Sequence, residues 1–249
     1  VSVRSPVTCR SAKGICKKCA GLDEYGNEYG IGVNLGALSA QSVTEPATQM
    51  MMSVFHSGGL ASGEDKVVNS FRSVKAMLEF PENFPEKATI SEATGKVESV
   101  SDSPLGGWNV VIGGKNHYIA PDRKVSVKKD EEVDKGTKIS HGTRDPKDVL
   151  RVLGVLPMRT ALVEDLAKIY RNAGPYVKQK HFETVVRAIT DSARVRDPGP
   201  SDYVAGDIVP YNQIRALNAA SVKKVSLDEA VGSWLAEPID GITPEKILS

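Results

Sequence analysis

The spacing of apolar residues divides this chain into blocks of different character. Residues 1–30 show little periodicity and read as a small knuckle followed by turns. Residues 31–56 carry Ala, Leu, Gln, Met and Phe with few charges, which predicts buried helix. Pro46 falls inside that stretch. A proline removes one amide donor and disfavours helix at the residue before it, so a break or kink is expected at Glu45. Thr44 can then cap a second short helix with Pro46 in its first turn. His56 to Gly63 has the composition of a mobile loop, with Gly58, Gly59 and Gly63 leaving little side chain to pack. Helical spacing returns over Glu64–Glu79 through Val67, Val68, Phe71, Val74 and Leu78, and Pro81 and Pro85 end it.

From Ala88 to about Ser140 the pattern becomes short and β-like. Segments 88–90, 95–97, 108–112, 117–119 and 124–127 are separated by Gly, Asp and Ser turns, which predicts a small antiparallel β-module. Leu162, Val163, Leu166, Ile169 and Tyr170 then mark one face of a helix over 160–172, stopped by Gly174-Pro175. Phe182, Val185, Val186 and Ile189 mark another over roughly 178–194. The expected fold class is α+β, in five segments: 1–30, 31–87, 88–145, 146–220 and an unassigned tail, 221–249.

Composition narrows the function classes. The 249 residues are 40% hydrophobic and 25% charged, and 32 Lys and Arg against 31 Asp and Glu leave a formal charge of +1. That balance lacks the strongly basic signature of a dedicated nucleic-acid domain, though not a local basic face. No apolar run approaches the ~18–20 residues of a membrane span, and no signal peptide is expected. The first residue is Val1, which fits a processed product or a piece of something larger.

All three cysteines fall at Cys9, Cys16 and Cys19. An odd, clustered set argues against a disulfide scaffold and for a metal-type site in a reducing compartment. The two-residue spacing of Cys16 and Cys19 lets both sulfurs face one zinc ion. Gly14 permits the tight turn, and Arg10, Lys13, Lys17 and Lys18 favour thiolate. A structural zinc normally takes four ligands. The fourth would come from another polypeptide or from a folded-over histidine, or the site is decayed; three ordinary thiols are the simpler alternative.

No P-loop, dinucleotide fingerprint, zincin motif or nucleophile elbow is present, and Glu131-Glu132 reads as a solvated face. His56 is the one titratable group beside the glycines. It serves either as a dipole-stabilised helix end or as a group that a closing loop brings to an anionic ligand, with Met52 as an adaptable apolar contact.

The run Ala40-Gln41-Ser42-Val43-Thr44-Glu45-Pro46-Ala47-Thr48-Gln49-Met50-Met51-Met52-Ser53-Val54-Phe55-His56-Ser57-Gly58-Gly59 resembles the trigger-loop segment of the largest (beta-prime) subunit of multisubunit RNA polymerases, whose pattern runs AQSxGEPxTQxTxxTFHxGG. The cysteine cluster resembles the last three ligands of that subunit's second zinc site. Residues 70–74 and 88–92 resemble the exit from the trigger loop, and the β-rich stretch falls where the family has its jaw. Residues 170–174 and 180–187 resemble its YRxQG and DKHIExxVRQ runs.

The resemblance implies a zinc knuckle, a trigger-loop helical hairpin, a β jaw module and a helical C-terminal segment within a larger assembly. By position, Gln49 would contact the ribose of an incoming nucleoside triphosphate, Met52 would pack on its base, and His56 would approach the β-phosphate as the catalytic residue. Gly58 and Gly59 would form the hinge. Cys9, Cys16 and Cys19 would hold Zn2+ with a fourth ligand from outside the chain. Arg123, Lys124, Lys128 and Lys129 would grip DNA phosphate, or else form ordinary solvated surface. Implied partners are the beta subunit, the remainder of beta-prime, DNA template and RNA product. The location is the cytoplasm, at the nucleoid or in a phage-infected cell, with the virion as a further possibility.

Departures from the pattern point to a diverged viral or phage member. Ser53 stands where bacterial members usually have a phosphate-reaching Arg, and Thr44, Met51, Val54 and Ala47 also differ from the bacterial pattern. The aspartate loop that holds the catalytic Mg2+ is absent, so polymerisation would need another chain that brings it. The alternative reading is a polymerase-derived zinc-binding module that docks on a host RNA polymerase and regulates it.

Overall fold

The computed structural model describes residues 3–11, 14–56, 71–173, 176–199, 201–220 and 226–227. The fold is mixed α/β, mostly with antiparallel strand pairing, and divides into two compact units. One comprises Val1–Pro81 with Leu162–Ser249; the other is the contiguous stretch Glu82–Ala161.

In the first unit a short helix α1 (Lys17–Ala20) closes the cysteine knuckle, and α2 (Leu35–His56) follows. Asn34 starts α2 by accepting the Ala37 amide on its side chain at 3.0 Å. The helix runs unbroken through Pro46, so neither the expected break at Glu45 nor a cap at Thr44 forms. Proline's fixed φ suits a helix; its cost is the missing amide, which leaves the Ser42 carbonyl without its helical donor. The Ser42 and Thr48 hydroxyls bond back to the Leu38 and Thr44 carbonyls, as such side chains do inside helices. The expectation of burial fails over Leu35–Gln49, where only Ser39 and Val43 are buried, because one face alone packs against the helix Gln179–Ile189.

Residues 71–79 form α3, with Val74 and Met77 buried. It ends at Phe80, which takes a left-handed backbone (φ 49°) before Pro81. Helix α5 (Val155–Ala173) contributes Leu162, Leu166 and Tyr170 to the buried core, and α6 (Gln179–Ile189) contributes Phe182 and Val186. The Tyr170 and Phe182 rings meet edge to face, with centroids 4.9 Å apart. The expected helix over 178–194 stops at Ile189. Alternation takes over in β7 (Ser192–Asp197), where Ala193 and Val195 point inward. With β8 (Ile208–Pro210) and β9 (Ser226–Leu227) it forms a three-stranded sheet, against which Ile214 of α7 (Tyr211–Ala220) packs.

The second unit is built on an antiparallel sheet of order β4-β3-β2-β5: β2 (Gly95–Asp102), β3 (Trp108–Ile112), β4 (Lys115–Ile119) and β5 (Glu132–Val133). Gly113 and Gly114, both at positive φ, make the two-residue turn between β3 and β4. Alternate residues face a core of Val97, Val110, Ile112, Ile119, Val127, Val133 and Ile139. The predicted strand over 124–127 is reduced to a single bridge, Val125 to Ser140. Strands β1 (Lys87–Ala88) and β6 (Thr143–Arg144) pair in parallel. Helix α4 (Pro146–Leu153) starts from Asp145, whose carboxylate accepts the Lys147 amide at 2.9 Å. Lys87 bridges Asp145 and Asp148 at 3.0 and 2.9 Å.

Candidate functional site

The Sγ atoms of Cys9, Cys16 and Cys19 all lie within 4.8 Å of one another, with Cys9 and Cys19 buried. Sulfurs at the corners of a tetrahedral zinc site sit roughly 3.8 Å apart, from ~2.3 Å Zn–S bonds, so this trio fits three corners of a metal site. Among the described residues no fourth group joins it. Two histidines offered by the sequence are engaged elsewhere: His117 accepts the Glu92 amide on Nε2 at 2.9 Å, and His181 meets Ser39.

The trio is electrostatically uneven. Burial works against a Cys9 thiolate, but amide hydrogen bonds from Cys16 and Ser11, with the neighbouring thiols, outweigh it and bring Cys9 down to about 7. Burial, aided by the two adjacent sulfurs, pushes Cys19 up to about 11. Among the described residues, hydrogen bonds lower Cys9, whereas no such gain reaches Cys19.

The backbone around Cys9 is gripped from the far end of the chain. Arg187 of α6 donates through Nη1 to the Pro6 and Cys9 carbonyls at 3.0 and 2.7 Å. Its Nη2 donates to Ser11 and Gly14 at 3.2 and 2.9 Å. Asn212 of α7 donates to the Cys9 and Ser11 carbonyls at 3.3 and 3.0 Å. Two turns earlier on the same face of α6, Lys180 donates to the Leu22 carbonyl and to the Tyr29 hydroxyl, the latter at 2.9 Å. His181 Nδ1 lies 3.2 Å from Ser39 Oγ of α2. One helix therefore ties down the knuckle, the loop after it and the base of α2.

Gln49 of α2 is exposed. Gln49, Met52 and His56 occupy positions i, i+3 and i+7 of one continuous helix, so they share a face about 10 Å long. Gly58 and Gly59 lie outside the described residues.

In the second unit, Arg123, Lys124, Lys128 and Lys129 line one groove of about 580 Å³. Trp108, Val100, Pro121, Val125 and Val127 supply its apolar surface. Arg123 also pairs with Asp122 at 3.2 Å. Sequence reasoning missed Trp108, read only as a strand residue, and Arg187 with Asn212. A cation among Val185, Val186 and Ile189 was the available signal for a buried, carbonyl-satisfied arginine.

The family model described as RNA polymerase Rpb1, domain 5, matches residues 7–103 and 86–243. The chain belongs to that family. It is 34% identical over 250 residues to the DNA-directed RNA polymerase subunit beta' of Malacoplasma penetrans (strain HF-2), covering 97% of this chain and 19% of that subunit. The Ureaplasma parvum serovar 3 subunit beta' is 35% identical over 86% of this chain and 17% of its own length. That of Lactobacillus helveticus (strain DPC 4571) is 31% identical over 98% and 20%. The chain spans about a fifth of the relatives it matches. Among the described residues no helix is long and apolar enough to cross a membrane.

Proposed function

We propose that this chain is the C-terminal part of the beta-prime subunit of a DNA-directed RNA polymerase, acting in DNA-templated RNA synthesis only in assembly with beta and the remainder of beta-prime. The observation that carries the reading is the joint retention, on one face of an unbroken helix, of Gln49, Met52 and His56 at the trigger-loop spacing. Gln49 takes the ribose of the incoming nucleotide and Met52 its base. His56 meets the β-phosphate, where an imidazolium stabilises charge building on the pyrophosphate leaving group or donates a proton to it. Gly58 and Gly59 form the hinge on which this segment closes.

Aspartates of another chain would hold Mg2+, which would supply activation of the 3′-hydroxyl and neutralisation of phosphate charge. Cys9, Cys16 and Cys19 would hold Zn2+ with one ligand from a neighbouring polypeptide. The groove of Arg123, Lys124, Lys128 and Lys129 holds downstream DNA, with Trp108 as an apolar wall. The near-neutral net charge fits a chain whose partners carry most of the DNA channel. The assembly works in the cytoplasm, and Ser53 and its neighbouring departures favour a phage or viral lineage.

The test is His56→Ala in the assembled enzyme. Nucleotide addition slows, by roughly 10²-fold if the histidine is a proton donor, while assembly is unchanged. An unchanged elongation rate would instead support a zinc-binding module that docks on and regulates a host polymerase.

A further inference from the structure

Arg187 is only 3% exposed, and among the described residues it forms no ion pair. Burying a guanidinium without a carboxylate is costly unless its donors are satisfied. Here four backbone carbonyls, from Pro6, Cys9, Ser11 and Gly14, satisfy them. The segment that carries Cys9 thus turns its carbonyls onto a single cation, and Asn212 holds two of those carbonyls a second time. Three thiolates around a divalent metal leave a net charge of −1 before a fourth ligand is counted. The guanidinium sits one hydrogen bond from the Cys9 backbone.

We propose that Arg187, seconded by Asn212, is the positioning residue of the metal centre. It sets the Cys9 backbone before the metal arrives and holds it there afterwards. The clasp needs no metal for any of its six hydrogen bonds, so the ligand loop is preorganised and metal is retained more tightly than by a free Cys-x6-Cys-x2-Cys segment. This rests on the reading of the three cysteines as a metal site.

The test uses the full chain loaded with zinc, and with cobalt as a spectroscopic probe. Zinc loss to a chromogenic chelator and the thiolate-to-cobalt charge-transfer band are followed in wild type, Arg187→Met, Arg187→Lys and Asn212→Ala. Expected are at least tenfold faster zinc loss and a shifted band in Arg187→Met. Asn212→Ala shows a several-fold acceleration with the band unmoved, and Arg187→Lys restores the band but not the full retention. The proposal is overturned if folded Arg187→Met matches wild type in both readouts. If Arg187→Met does not fold, wild-type release from Asn212→Ala and Arg187→Lys overturns it equally. A wild-type chain that takes up neither metal, alone or together with the polypeptide that supplies the fourth ligand, overturns the metal reading itself, a separate outcome visible before any variant is made.

Discussion

Tyr170 donates its hydroxyl to the Val43 carbonyl at 2.9 Å, joining residues 127 apart in sequence. Val43 sits in α2 just before Pro46, so the tyrosine fixes the helix immediately ahead of its weakened turn. Beyond that point the described side chains, through Gln49, have no buried member.

Removing that hydroxyl tests the anchor. Tyr170→Phe loses one buried hydrogen bond and leaves the Val43 carbonyl its helical partner, so it costs about 1 kcal/mol, read as a lower urea midpoint. Burial also pushes Tyr170 up to about 12. The folded state therefore favours the neutral phenol, and this contribution is full below pH 10 and disappears as pH rises toward 12. The alkaline decline attributable to this residue vanishes in Tyr170→Phe; identical alkaline profiles would remove the anchor from the account.

The contact between His181 and Ser39 responds at the other end of the pH scale. Burial, then Lys180 and Lys178, hold the imidazole below its ordinary 6.5. Folding favours the neutral ring, so its contribution is complete above pH 6.5 and is lost as pH falls through the depressed value. Denaturation midpoints at pH 7.5 and pH 5 differ more in wild type than in His181→Gln. Equal differences would show that the ring titrates alike folded and unfolded.

Metal uptake couples to protons. With Cys9 at about 7 and Cys19 at about 11, zinc binding at pH 8 must displace at least the Cys19 proton, and apparent affinity rises with pH. Acid release in a weakly buffered solution measures this directly. Cys16→Ser leaves two thiolates and lowers the zinc content of the chain, purified with the polypeptide that supplies the fourth ligand, by about one equivalent; unchanged zinc content would exclude Cys16 as a ligand.

Salt dependence separates the groove's cations from its tryptophan. If Lys124, Lys128 and Lys129 each neutralise a phosphate, changing all three to Ala flattens the log–log salt slope for duplex DNA by roughly 0.9 per lysine. Trp108→Ala weakens binding without altering that slope. Fluorescence anisotropy across a KCl series distinguishes the two, and an unchanged slope in the triple variant makes those lysines plain surface.

The periodic helices and the 108–119 hairpin were legible because each is specified by local spacing: Val110, Ile112 and Ile119 alternate, and Gly113-Gly114 supplies the turn. Asp145-Pro146, a cap followed by a first-turn proline, was an equally local sign of α4 that the apolar pattern overshadowed. The unbroken α2 was not legible, since local rules at Pro46 oppose it and the packing of α6 that favours it lies more than a hundred residues away. The cysteines pointed to a metal site by spacing alone. Their support did not, because Arg187 and Asn212 act on carbonyls, which every residue has and which no motif distinguishes.

The reach of α6 also sets an order of events during synthesis. Cys9 waits 178 residues for Arg187, and Ser39 waits 142 for His181. At about 5–20 residues per second the first interval is on the order of 10–35 s. Glu82–Ala161 is contiguous and can complete its own hairpins in that time, whereas the thiol loop and α2 leave the ribosome without the helix that secures them. For those seconds the nascent chain carries an assembled central unit preceded by an unclasped cysteine loop, and a ribosome that halts before reaching Arg187 leaves it that way.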